Sequence, residues 1–340
     1  NNTADSFSYA IGSNNNANGG IAIGNGSYAT NAGVAIGYGA YATDSAVALA
    51  GHAENGSFAT NWGEAYGFRS TALGNNKAYG NYSVALGYNC QTYGAHSFAM
   101  GNSTSAYGNN SFALGFYANA NGNNSFAIGF YTDNNYHSGS FAIGDGNMIS
   151  PTPVTNSADN QMVMRFTNGY QLQTSWGFGT EILPGGNAWS VISDKRKKEN
   201  FKPIDGNALL SKIAGMQLST WNYKGQDPKT FRHYGPMAQD FYAAFGNDGI
   251  GTIGNDTTIN QADMAGVTFT AVQALAKKAD DIAAANAQLE ARVNALMTEE
   301  KTYTVQNNQL KAELQQSNKE ILSRLDALEA TTRKTNATTR

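Results

Sequence analysis

Residues 1–148 carry a hydrophobic pattern that repeats. An apolar-Ala-apolar-Gly block recurs at 9–12, 21–24, 34–37, 84–87, 98–101, 112–115, 126–129 and 141–144. The central apolar residues Leu86, Met100, Leu114 and Ile128 stand 14 apart, and a second series, Gly80, Gly94, Gly108 and Gly122, keeps the same interval. Apolar residues on either side of a small alanine point to one face of a strand while the alanine points to the other. Two short strands per interval, each closed by a glycine free to turn, predict one coil of a β-roll. Such a coil is too thin to bury its apolar residues alone, so stacking and a partner chain are both expected. The register blurs from about Ala50 to Leu73, where a degenerate repeat is expected.

The pattern then changes. In residues 149–192, Met162–Phe166 and Tyr170–Thr174 alternate around Asn168-Gly169, which predicts a hairpin inside a β connector. Pro184-Gly-Gly186 marks a further turn. Residues 193–262 read as a small mixed region. They hold a helical pattern over 207–217, a strand over 218–223, and a helix after Gly235 that carries Phe241 and Phe245. Gly249 to Gly254 reads as loop or weak strand.

Residues 263–340 carry a heptad helix, from about Asp263 to Arg333. Leu275, Ile282, Leu289, Leu296, Tyr303 and Leu310 fill successive d positions, and Ser317 and Arg324 then break the seam. Asn286 and Asn307 fall at a positions, where a polar residue fixes register at a cost in stability. A parallel oligomer is expected, with a helical hairpin within one chain as the rival. Heptads alone do not separate two strands from three.

Composition narrows the choice. Thirty-eight glycines against six prolines suit a regular, turn-rich array. The formal net charge of −3 provides no basic field for nucleic acid, and no apolar run reaches membrane-spanning length. The lone cysteine, Cys90, cannot form a disulfide within the chain and is expected to be a plain buried or edge thiol. The chain opens at Asn1 without methionine, as expected of a fragment or processed form. Asp44, Glu54 and Glu64 are scattered and form no carboxylate pair fit for glycoside hydrolysis. No cofactor or metal is implied.

The candidate chemistry lies in Ser193-Asp-Lys-Arg-Lys-Lys-Glu-Asn200. A serine hydroxyl attacks a carbonyl when a nearby unprotonated amine takes its proton. Lys195, Arg196 and Lys197 surround Lys198 with positive charge, the condition under which an amine gives up its proton. Read without context, the same run is a solvated basic loop.

Two resemblances supply context. The Ala-x-Gly repeats resemble the head repeats of trimeric autotransporter adhesins, which implies a mainly β fold, a trimeric left-handed β-roll. Ser193-Asp-x-Arg-x-Lys198-x-Asn200, Trp221-x-Tyr223 and His233-Tyr-Gly235-Pro-Met-Ala238-Gln239-Asp240, followed by a coiled coil, are similar to the endosialidase-type self-cleaving chaperone domain of phage tailspikes and tail fibres, found also in the myelin regulatory factor. That resemblance implies a small α+β domain that assembles as a homotrimer, helps fold the fibre before it, and cuts itself off at Ile192-Ser193. It implies Ser193 as nucleophile, Lys198 as general base and His233 as an assisting or positioning group. Asp194, Asn200 and Gln239 match motif positions and take orienting roles. Lys195, Lys197 and Pro236 depart from the usual pattern and bear on the efficiency of the cut.

The expected protein is a homotrimeric surface or tail fibre, extracellular, at a bacterial surface or on a virion. Its removable chaperone is a single-turnover serine endopeptidase, and its head is either a spacer stalk or a binder of a host-surface glycan or protein. The alternative is an uncleaved adhesin whose C-terminal domain only trimerises.

Overall fold

Alanine sets the thickness of the N-terminal half. In the computed structural model, which describes residues 1–145, 152–176 and 178–338, each coil gives one strand to each of two parallel sheets. The narrow sheet has twelve strands, from Thr3–Ala4 to Val154–Thr155, mostly of two residues. The broad sheet has twelve strands of up to five residues, from Tyr9–Ser13 to Met162–Arg165. Their alanines face each other and are fully buried, from Ala22 to Ala142 in the broad sheet and from Ala29 to Ala120 in the narrow one. Side chains this small let the two sheets approach closely, and the one larger residue among these narrow-sheet positions, Thr92 between Ala78 and Ala106, is buried as well. The larger neighbours of each alanine therefore point outward, as the block pattern predicts.

Strand register is in step throughout. Ala85 pairs with Ala99, Ala99 with Ala113, and Ala113 with Ala127. Gly115 shows why the block ends in glycine. Its φ is +136°, and an added Cβ would lie 1.9 Å from the carbonyl oxygen of Gly129 in the next coil. The serine before the blocks at 98, 112 and 126 closes the preceding corner, since Ser97, Ser111 and Ser125 donate to the carbonyls of Gly94, Gly108 and Gly122 at 2.6–2.7 Å.

A second interior column is polar. Asn15 Nδ2 donates to the carbonyls of Ile11 and Gly24 at 2.7 and 2.9 Å. Ser27 Oγ does the same for Ile23 and Gly37 at 3.1 and 2.6 Å. Cys90 occupies this column and is buried, its Sγ 3.2 Å from the carbonyl of Leu86 and 3.3 Å from that of Gly101.

The outer face of the narrow sheet carries an aromatic ladder. Rings of Tyr28, Tyr41, His52, Tyr66, Tyr79, Tyr93 and Tyr107 follow one another at 4.3–5.5 Å.

Two expectations are corrected. The repeat does not degenerate between Ala50 and Leu73: Ala48, Ala59, Ala72 and Ala85 pair in unbroken register. The corners shorten instead: Ala48 and Ala53 are five positions apart, where Ala85 and Thr92 are seven apart. Because corners absorb the deletion, the sheets stay in step while the sequence interval changes. The hairpin expected about Asn168-Gly169 is also absent. Met162–Arg165 is the last strand of the roll, parallel to Phe141–Gly144. Tyr170–Ser175 pairs antiparallel with Phe178–Ile182, which pairs with Ser190–Val191. The first strand extends the roll along one edge, and the chain beyond the glycine turn pairs with Phe178–Ile182 instead of folding back on it. The 148/149 boundary lies outside the described residues.

The chain divides into two compact units, Asn1–Ser193 and Asp194–Arg340. In the second, α1 (Gly206–Ala214) is capped by the Asp205 carboxylate, which accepts from the backbone N–H groups of Asn207 and Ala208. A short antiparallel pair, Ser219–Trp221 with His233–Gly235, precedes α2 (Ala238–Phe245). Residues 247 and 252 form a single bridge where loop or weak strand was expected. The final helix, α3 (Gln261–Thr338), is unbroken, which removes the helical hairpin as a rival. Leu209 and Phe241 are buried in this unit beside a cleft of about 450 Å³ lined by α1, α2 and the start of α3. Among the described residues no helix is long and apolar enough to cross a membrane.

Candidate functional site

The motif segment begins where the first unit ends. Ser190–Val191 is the third strand of the antiparallel sheet, and Ile192 and Ser193 follow it directly. Ile192 is 48% exposed, so the peptide bond after it is not shielded by a core. Ser193 is itself exposed and closes the first unit; Asp194 opens the second.

Asp194 organises the turn that comes next. Its carboxylate accepts from the backbone N–H of Arg196 at 2.9 Å and caps the 3₁₀ turn Lys195–Lys197. The Arg196 guanidinium donates to both carboxylate oxygens, from Nε at 3.1 Å and from Nη2 at 2.7 Å. These hydrogen bonds hold the Asp194 carboxyl below the usual carboxylate range and push the guanidinium up. Lys198 ends the turn in extended conformation, its N–H donating to the Lys195 carbonyl at 3.1 Å.

The cationic crowd is thinner than the sequence suggests. Arg196 is paired with Asp194, and Lys195 Nζ lies 5.8 Å from the centroid of the Phe201 ring. At least two of the three flanking cations are thus engaged locally. The arginine three residues after Ser193 serves the turn, not the charge of its neighbour.

Asn200 adopts φ +55°, a left-handed conformation that asparagine tolerates better than most residues. Its motif position therefore has a backbone reason. Gln239 stands exposed in the first turn of α2, just after Pro236 and Met237.

His233 belongs to an aromatic cluster. Paired across the strands with Trp221, it stacks on that ring at 4.6 Å and meets Tyr223 at 5.6 Å. Arg232 braces the same hairpin, donating to Asn222 Oδ1 at 3.0 Å and Thr220 Oγ1 at 2.8 Å. His233 Nε2 and Trp221 Nε1 are buried without a hydrogen-bond partner among the described residues. Buried polar atoms of this kind are rare and call for an explanation in structure or function. The Trp221-x-Tyr223 spacing and His233, separate in sequence, are thus one cluster. The role of Arg232 is not legible in the sequence, where a lone arginine in a loop carries no signal.

No curated protein matches the chain. Residues 65–89, 93–118 and 106–132 match the family model of the YadA head domain repeat. Residues 193–250 match that of the chaperone of endosialidase, so the chain joins head repeats of the first kind to a segment of the second, and the second match begins at Ser193.

Proposed function

We propose that the chain is a homotrimeric extracellular fibre, bacterial or on a phage tail, with a removable assembly chaperone. The parts are the roll, whose last strand is Met162–Arg165, the connector that follows it to residue 192, the self-cleaving domain (193–262) and the coiled coil (263–340). The observation that carries the reading is a coincidence at one residue. The chaperone match starts at Ser193, and the compact units divide immediately after it. A cut at Ile192-Ser193 would fall one peptide bond from that division and leave the strand Ser190–Val191 with the roll.

Exposed apolar surface supports the trimer. In one chain Leu275 is 55% exposed and Leu289 61%, along an unbroken helix. Each such leucine gains about 1.5–3 kcal/mol when fully buried, so a lone helix with this seam is unfavourable. Near-identical coils are prone to pair one step out of register. Tethering three chains at one end by a coiled coil raises their effective concentration and aligns them before the rolls pair.

In the proposed reaction Ser193 Oγ attacks the carbonyl carbon of Ile192 as Lys198 takes the hydroxyl proton. The C–N bond breaks, the proton passes to the departing Ser193 amine, and an ester joins Ile192 to Ser193 Oγ. Water then hydrolyses the ester, leaving a carboxylate on Ile192 and restoring the Ser193 hydroxyl. Serine follows the bond it attacks, so no substrate pocket is needed. Asp194 and Asn200 shape the turn, His233 is the positioning group, and Gln239 is assigned an orienting role.

Intact-mass measurement on freshly expressed chain tests the reading. Two fragments that sum to the 36.1 kDa chain plus one water are expected from wild type, and one uncut species from Ser193→Ala and Lys198→Ala. An uncut wild type would make the protein an intact adhesin whose C-terminal unit only trimerises.

A further inference from the structure

Most aromatic side chains of the roll are used up by one another. In the ladder Tyr79 and Tyr93 have both faces covered, Tyr93 by Tyr79 and Tyr107 at 4.9 and 4.5 Å. Such rings present edges and hydroxyls outward, and their faces are closed to a ligand.

Trp62 and Tyr88 are different. They are 62% and 60% exposed, and among the described residues neither ring packs on another aromatic. Both line one notch of about 540 Å³ at the corner between the broad and narrow sheets, with Asn61, Glu64, Gly74, Asn75 and Gly87. The two aromatic residues lie two coils apart, since the strands Phe58–Thr60, Thr71–Leu73 and Val84–Tyr88 are successive neighbours. At about 4.7–4.9 Å per strand, the walls stand about 9–10 Å apart. The coil between them supplies only Gly74 and Asn75 to the notch. Gly74 has φ +88°, and a Cβ there would meet the Gly87 carbonyl at 2.5 Å, so the floor stays backbone.

Trp62 is also held at a backbone cost. Its φ is +67°, beside Asn61 at +48°, in the shortened stretch of the roll. The same corner conformation recurs at Ala32, Ser45 and Tyr136, so the added cost at Trp62 is that of holding an indole in it. Here the strain buries nothing, because the ring stays in solvent.

The polar rim narrows the ligand. The side-chain amides of Asn61 and Asn75 make no hydrogen bonds among the described residues, so each offers a donor and an acceptor. Glu64 is already paired with Lys77 at 3.1 Å, which leaves no net charge to attract an ion. A ring-shaped group fits, with apolar C–H faces for two π-surfaces and a rim of neutral hydroxyls.

We propose that this notch binds a neutral pyranose unit of a surface glycan, sandwiched between Trp62 and Tyr88 and hydrogen-bonded by Asn61, Asn75 and Glu64. The site needs only the roll and stands whether or not the chaperone cuts.

The test is saturation-transfer NMR on the full chain with methyl glycosides of glucose, galactose, mannose and N-acetylglucosamine. At least one is expected to receive saturation at its ring C–H protons. Trp62→Ala and Tyr88→Ala should each cut that signal at least tenfold, while Tyr107→Ala at the ladder end leaves it unchanged. Trp62→Phe, which keeps an aromatic wall, should retain part of it. Circular dichroism and the mass profile of the same samples report folding and cutting separately, so a failed cut with intact binding counts only against the chaperone reading. The proposal is overturned by no transfer to any of the four or by equal transfer in Trp62→Ala. It is also overturned if Trp62 proves shielded from acrylamide quenching by a neighbouring copy, or if the notch takes only a proline-rich or aromatic peptide.

Discussion

The backbone N–H of Cys90 donates to Asn76 Oδ1 at 2.7 Å, from one coil of the roll to the next. Asn76 Nδ2 in turn donates to the carbonyl of Gly87 at 2.9 Å. One amide thus ties its own coil to the following one at two points inside a buried column. Removing it strands a buried donor and a buried acceptor, at about 1–3 kcal/mol each. Asn76→Ala is therefore expected to lower stability by about 2–4 kcal/mol. Cys90→Ser should be tolerated within about 1 kcal/mol, because Ser27 already makes the same pair of contacts in its own coil. Urea unfolding of the full chain, followed by circular dichroism, reads both. A Cys90→Ser variant less stable than Asn76→Ala would remove the ladder account.

Glycines of the roll should fall into two classes. At Gly115 an added methyl group meets backbone of the next coil at 1.9 Å. Neither carbonyl nor strand can give way without unstacking, so Gly115→Ala is expected to cost above about 4 kcal/mol. Gly39 has φ +64° with nothing within 4 Å of the added Cβ. Gly39→Ala should cost only about 1 kcal/mol, the backbone penalty alone. Thermal melts of the two variants separate steric from conformational cost.

The coil was legible because alanine, serine and glycine recur at fixed offsets, and each offset has a contact behind it. Ser111 before the block and Gly115 within it are examples. Coils from 47 to 73 were not legible. Deletions there fall in corners, and Trp62 fills a turn position that elsewhere holds residues as different as Ala32, Ser45 and Tyr136. Hydrophobic period records strands and says little about corners. Asn168-Gly169 misled for a related reason. It signals a turn, but which strand pairs after the turn is decided by a parallel edge that lies 21 residues back in sequence, at Phe141–Gly144. In the motif segment, residue types were legible and charge pairing was not. Asp194 two residues before Arg196 reads equally as a nucleation point for a turn or as a solvated pair.

Trp62 offers a stability test independent of any ligand. Asparagine accepts the left-handed conformation at lower cost, and the ring that it replaces is exposed. Trp62→Asn is expected to raise stability by about 1 kcal/mol. A destabilised variant would mean that the indole packs in the folded fibre.

Asp194 gives the turn a pH signature. Its carboxyl is held below the ordinary aspartate value by the hydrogen bonds of Arg196, so the folded pKa is lower than the unfolded one. The stabilisation is then fully present above the unfolded value and is lost as pH falls through the folded one. From this group the turn should be insensitive to pH above about 4 and loosen only below it. The Arg196 Nε–H resonance, followed by NMR in Ser193→Ala chain, is expected to stay fixed in the first range and move in the second. Asp194→Asn keeps an acceptor for the Arg196 N–H and should cut at close to wild-type rate. Asp194→Ala loses the cap as well and should cut about fivefold more slowly. Equal rates in the two variants would mean that the turn does not set the reaction geometry.

The a-position asparagines of α3 test how the chains align. Asn286 and Asn307 sit on the same seam as Leu289 and Leu310, which are 61% and 63% exposed in one chain. Inside a parallel coiled coil an asparagine costs stability, and it excludes registers that place it against leucine. Isoleucine at both positions removes that cost and that exclusion together. The double variant Asn286→Ile, Asn307→Ile is expected to melt higher than wild type, yet to sediment as a mixture of oligomers in place of one species. Misaligned tails would start the rolls out of step, so the variant should also show more aggregated β-structure during refolding. A variant that sediments as a single trimer and refolds as cleanly as wild type would place the register signal elsewhere. The remaining source is the cluster around Trp221 and His233, and pairing defects would then follow its mutation.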